Sequence, residues 1–112
     1  MDLEGEWDVS ITNVQHFELT CGIGFSMQLR GIESSDSYDG EIPRDTGIRC
    51  PNGFIYPLGR ELSNLVFEPE GRHLKVTVGD RSFAVVELQS EKEMKGQVDE
   101  GYFPGALFRA RR

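Results

Sequence analysis

Between Trp7 and Leu29 the apolar residues, Val14 apart, keep to odd positions: Trp7, Val9, Ile11, Phe17, Leu19, Cys21, Ile23, Phe25, Met27 and Leu29. The even positions carry Asp8, Ser10, Thr12, His16, Glu18, Thr20, Gly22, Gly24, Ser26, Gln28 and Arg30. A period of two sends successive side chains to opposite faces of an extended strand, one dry and one wet. A chain that opens this way is committed to β-structure.

Strand one is expected over Glu4–Thr12, with Asn13-Val14-Gln15 as the turn, and strand two over His16–Glu33. The second strand is long against the usual five to six or so residues. Gly22 and Gly24 interrupt its wet face, and glycine inside a strand marks a bulge, a bend or a close backbone approach. A strand bent at glycines is one way a sheet curls into a barrel. Residues 31–61 are rich in Gly, Pro and Ser and read as loops around two short strands, Ser37–Ile42 and Phe54–Leu58. Strand patterning returns over Leu65–Glu68, Leu74–Val78, Arg81–Gln89, Met94–Val98 and Ala106–Arg111. The segments between them, such as Pro69-Glu70-Gly71-Arg72 and Gly79-Asp80, have turn chemistry.

The first strand gathers Asp2, Glu4, Glu6 and Asp8 on one face, and the last gathers Arg109 and Arg111. Opposite charges across neighbouring strands favour pairing. The first and last strands are therefore expected side by side, which closes the sheet and removes its edges. The expected fold is all-β, an antiparallel up-and-down barrel of about eight strands. It forms one domain over residues 1–112, with a loop-rich insertion at 31–61. A domain of this size buries roughly two thirds of its unfolded surface, enough for a core without staples.

Gly5-Glu6-Trp7, Met94-Lys95-Gly96-Gln97 and the closing Gly105-Ala106-Leu107-Phe108-Arg109-Ala110-Arg111 resemble the matching parts of the calycin superfamily, the small barrels that include lipocalins and avidins. The resemblance implies an arginine packed across Trp7 at the closed end, with Arg109 in the matching place. The phase of Arg109, opposite to Phe108, turns it outward. No residue set matches the biotin contacts of avidins.

The chain carries 19 acidic and 12 basic residues, a net charge of −7. That balance disfavours nucleic acids and anionic membranes, which select for positive charge, and suits a basic partner. No apolar run approaches the roughly twenty residues that span a bilayer. Met1-Asp2-Leu3-Glu4 has neither the basic start nor the apolar core of a secretory leader. A cytoplasmic location is expected, or secretion if a leader has been removed. Cys21, in phase with the dry face, reads as a buried free thiol. A Cys21–Cys50 bridge is the alternative for a secreted chain.

His16 and His73 are the only histidines. No CxxC or HxxxH spacing exists, so no metal site is expected. His16 lies on the wet face and is expected to be solvated. Gly22-Ile23-Gly24 sits inside a strand and does not make a phosphate loop. No nucleophile–base pair stands out, so an enzyme is the least favoured reading, and no cofactor is expected. Trp7, Phe17, Phe25, Phe67, Phe83 and Phe108 fall on inner faces, where they fill a small barrel or line a pocket.

Two functions follow. The first is a non-catalytic binding protein for a small apolar or aromatic ligand, held at the open end of the barrel near 31–61. Phe25, Met27 and Leu29 would form its apolar wall, with Arg49 and Tyr56 as orienting polar groups. The second is a protein-interaction module or inhibitor that uses the 31–61 loops and the acidic surface. Tyr38, Phe54, Tyr56 and Tyr102-Phe103-Pro104 would then offer aromatic contacts. A hollow barrel favours the first reading, and a filled barrel with an exposed aromatic patch favours the second.

Overall fold

The structure, a computed structural model, describes residues 2–112. Its strands are β1 (Gly5–His16), β2 (Leu19–Gly31), β3 (Tyr38–Glu41), β4 (Gly47–Arg49), β5 (Ile55–Pro57), β6 (Asn64–Glu70), β7 (His73–Val78), β8 (Arg81–Ser90), β9 (Glu93–Val98) and β10 (Leu107–Arg111). No helix among the described residues is long and apolar enough to cross a membrane. Eight strands form a closed antiparallel barrel in the order β1-β10-β9-β8-β7-β6-β3-β2, with β2 returning to β1. β4 and β5 form a small hairpin attached to the outer part of β2, through Gly22↔Arg49 and Ile23↔Ile48.

Closure occurs where the sequence places it. β1 meets β10 from Asp8↔Arg111 to Thr12↔Leu107. The charges at this seam pair differently from expectation. Arg109 and Arg111 reach Glu93 on β9, at 3.3 and 3.0 Å. Register offers Arg111 a carboxylate on each side of β10, Asp8 on β1 and Glu93 on β9, and the ion pairs form with Glu93. Asp8 meanwhile accepts a hydrogen bond from Ser26 Oγ at 2.6 Å.

β1 runs further than its sequence pattern suggests. Asn13-Val14-Gln15 is not a turn. The register slips between Ile11↔Ile23 and Val14↔Cys21, so Thr12 and Asn13 together face Gly22. This is a two-against-one bulge. Asn13 takes a positive φ of 59°, a conformation asparagine tolerates better than most residues. The extra residue shifts the buried phase from odd to even, so Val14 is fully buried. The ladder then continues to His16↔Leu19, and the chain turns at Phe17-Glu18.

The barrel interior is filled by large side chains. Trp7, Phe67, Phe83, Phe108, Leu29, Leu65, Leu74, Met94, Val76 and Val86 are all essentially inaccessible. The Phe67 and Phe108 rings lie 6.3 Å apart at the centre. One end of the barrel is capped by Arg112. Its guanidinium lies 4.7 Å from the Trp7 ring and donates to the carbonyls of Asp2, Glu4 and Glu91 at 2.8, 3.0 and 2.7 Å. Trp7 Nε1 donates to Leu3 O at 2.9 Å. The arginine on the tryptophan is thus Arg112 and not Arg109. Arg109 sits on the outer face of β10, where strand alternation holds it, whereas Arg112 lies past the strand end and can fold across.

The cysteines are bridged. Cys21 on β2 and Cys50 after β4 form a disulfide, so the expectation of a free buried thiol at Cys21 is corrected. The β2–β4 ladder accounts for the pairing, since Gly22↔Arg49 sets the two cysteines just beyond adjacent rungs.

Candidate functional site

The end of the barrel away from Arg112 carries an aromatic tip. It is built from two hairpins held together by the disulfide. The β1–β2 hairpin supplies His16 and Phe17, and the β4–β5 hairpin supplies Phe54, Ile55 and Tyr56. β4 and β5 register through Ile48↔Tyr56 and Arg49↔Ile55. Their connection is set by Asn52, whose Oδ1 accepts from Phe54 N at 3.1 Å. Asn52 Nδ2 also donates to Tyr56 Oη at 3.2 Å, which fixes the Tyr56 ring.

The rings pack against one another. His16 lies 4.4 Å from Phe17 and 4.5 Å from Tyr56, centroid to centroid. Phe17 is 5.9 Å from Tyr56, and Phe54 is 6.3 Å from Tyr56. The contact shields His16 Nε2, which has no hydrogen-bond partner among the described residues. His16 is therefore half-buried in an aromatic stack and not a solvated side chain. The outer rings of the stack stay bare, Phe17 at 77% exposed and Phe54 at 65%, and Ile55, next to Tyr56 on β5, is 57% exposed.

The turn that presents Phe17 is unusual in its residues. Phe17 and Glu18 are the two residues between β1 and β2, and both have positive φ, 48° and 64°. Two-residue hairpin loops of this kind favour Asn-Gly or Asp-Gly, because a side chain at positive φ crowds the backbone. A bulky aromatic there costs about 1–2 kcal/mol. Phe17 also corrects the expectation that it faces the core. The bulge at Asn13 breaks the odd phase before the chain reaches it.

The five residues expected to hold a ligand are dispersed. Met27 and Leu29 are buried core residues. They lie so close to β3 that a Cβ on Gly40 would stand 2.9 Å from Met27 Sδ and 3.0 Å from Leu29 Cδ2. Phe25 is half-buried, and it shares a small outer hollow of about 190 Å³ with Arg49, Pro43, Asp45 and Ile55. Tyr56 belongs to the tip. The structure thus brings Phe25 and Arg49 together but leaves Tyr56 in a different cluster and Met27 and Leu29 in the core. Tyr102 and Phe103 are half-buried. The Tyr102 ring is anchored 5.2 Å from Phe83 and 5.0 Å from the Arg81 guanidinium.

Sequence reasoning missed Phe17, His16 and Ile55 as site residues. The available signal was Phe-Glu at a position where the alternation of β1 had to reverse. No group of three or more His, Cys, Asp or Glu among the described residues is placed to hold a metal ion. Comparison of the chain with protein-family models, with curated proteins and with solved structures finds no match.

Proposed function

We propose that this chain is a non-catalytic module that binds another protein through its aromatic tip. The observation that carries the reading is the exposure of Phe17, Phe54 and Ile55 on two disulfide-linked hairpins. Exposed apolar area gains roughly 25 cal/mol per Å² when another surface covers it. Aromatic side chains held rigid by their neighbours make strong interface anchors, since little freedom is lost on binding. The positive φ at Phe17 and Glu18 supports the same reading, because strained backbone is kept where function needs the side chain it presents.

The net charge of −7 favours a partner with a basic surface, which long-range attraction would draw to the chain. The disulfide supports an oxidising compartment in place of the cytoplasm. A calycin-like kinship of the barrel is supported by Gly5-Glu6-Trp7 and by Arg112 stacked on Trp7. A small ligand inside the barrel draws less support, because Trp7, Phe67, Phe83 and Phe108 occupy the interior.

The test replaces the turn by the sequence its geometry prefers, Phe17→Asn with Glu18→Gly. This double variant should be more stable than the parent by about 1–2 kcal/mol. Both chains, with Leu107→Ser on the barrel wall as control, are immobilised and exposed to proteins of an oxidising compartment. Any retained protein is then purified and titrated against all three. The expected outcome is a saturable partner held by the parent and by Leu107→Ser and released by the turn variant. Equal binding by the turn variant would refute the assignment of the tip.

A further inference from the structure

We infer that the hollow between residues 42–46 and 57–63 is a separate binding site for a small organic anion with a compact apolar body. The hollow measures about 530 Å³, inside the range of roughly 300–1,000 Å³ typical of small-molecule sites. Its apolar lining comes from Ile42 and Leu62, both buried, and from the half-buried Leu58. Two guanidiniums, Arg44 and Arg60, and two hydroxyls, Thr46 and Ser63, supply the polar groups.

The arginines of this hollow differ from those of the capped end and the closing seam. At the capped end and the closing seam, Arg109, Arg111 and Arg112 are each engaged by a carboxylate or by backbone carbonyls. Arg44 and Arg60 make no ion pair or hydrogen bond among the described residues. Two uncommitted arginines line one concavity in a chain of net charge −7. Two carboxylates neighbour the arginines in sequence: Asp45, which lines the adjoining hollow with Arg49, and Glu61, whose carboxylate lies against Gly59 at the edge of this one. Neither lines this one.

Guanidinium forks match the paired oxygens of a carboxylate or phosphate, and each such bond is charge-assisted. The apolar lining beside them excludes water from the ligand body and strengthens the charged contacts. A neutral apolar compound would use only the lining, and a small inorganic anion only the forks. The ligand class that uses both is an aryl or alicyclic carboxylate or phosphate. The site is independent of the aromatic tip, which shares none of its lining residues.

Isothermal titration with naphthoate tests the site. Naphthalene methanol provides the same body without charge, naphthylmethylammonium reverses the charge, and acetate removes the body. The proteins are the parent, Arg44→Gln/Arg60→Gln and the turn variant Phe17→Asn/Glu18→Gly. Circular dichroism confirms that each is folded. Naphthoate should bind the parent and the turn variant alike, and at least about tenfold more weakly to the arginine variant. The alcohol should bind the parent and the arginine variant equally, and more weakly than naphthoate binds the parent. Naphthoate affinity unchanged by loss of both arginines, or the ammonium compound binding as tightly as naphthoate, would overturn the inference. Loss of naphthoate binding in the turn variant with retention in the arginine variant would move the site to the tip and overturn it equally.

Discussion

Replacing both cysteines, Cys21→Ala with Cys50→Ala, separates the barrel from its tip. The bridge closes a loop across a sequence separation of 29. Removing it returns the loop-closure entropy to the unfolded chain, about 12 cal/mol/K, or roughly 3.6 kcal/mol at room temperature. With an unfolding entropy of about 2.1 cal/mol/K per residue over 112 residues, the midpoint should fall by about 15 °C. The loss is global in size but local in its structural effect. β4 pairs with β2 over two rungs, Gly22↔Arg49 and Ile23↔Ile48, and Ile48 is its one core side chain, so without the bridge the β4–β5 hairpin should open before the barrel does. Urea unfolding of the parent and the double variant gives the first number. Limited proteolysis gives the second, with new cleavage expected in residues 50–56 while the near-ultraviolet signal of Trp7 is unchanged. A stability loss under about 1 kcal/mol, or cleavage in 50–56 as fast in the parent as in the variant, would refute the reasoning.

Three further outcomes follow from named contacts. Gly96→Ala should cost at least about 2 kcal/mol in urea unfolding, because a Cβ there would overlap Val85 O and stand 2.6 Å from Val86 Cα. Arg112→Ala should cost about 1–2 kcal/mol and shift Trp7 emission to the red, since it removes the cation over the ring and three carbonyl contacts. Burial pushes the Glu93 carboxyl up, but Arg109 and Arg111 together pull it further down, leaving it below its ordinary value of 4.5. A depressed carboxylate stabilises the fold fully above the unfolded value and loses that contribution as the pH falls through the folded one. The parent's urea midpoint should therefore drop more steeply than that of Glu93→Gln as the pH falls below 4.5, and parallel profiles would contradict the pairing.

What the sequence made legible was the wall of the barrel. Trp7, Val9 and Ile11, and later Phe108 and Ala110, alternate cleanly because each strand is wet on one face, and their burial follows the pattern. The two-residue loop Gly79-Asp80 was equally plain, with Gly79 at φ 61°. Asn13 was harder, since a residue at home in turns and in bulges does not say which it makes. Once it is a bulge, Phe17 leaves the core face and becomes the tip. β4 went unseen because Gly47-Ile48-Arg49 is too short to show a period, and it is held by a disulfide that spacing alone does not reveal. The dispersal of Phe25, Met27, Leu29, Arg49 and Tyr56 has a similar origin. Odd phase gave the face of β2, but only the close approach of Gly40 decided that Met27 and Leu29 belong to the interior.

The pairing of β1 with β10 governs when this protein can finish folding. β1, paired early with β2, must wait for residues 107–111 before its second edge is covered. Until then the edges of β1 and β9 both present unpaired backbone, the kind of template on which nascent chains misassociate. Contacts that join the start of a chain to its end also carry the largest loop-closure cost, so barrel closure belongs to the slow part of the reaction. A chain cut before β10 would therefore leave two open edges at once and should associate with its own copies.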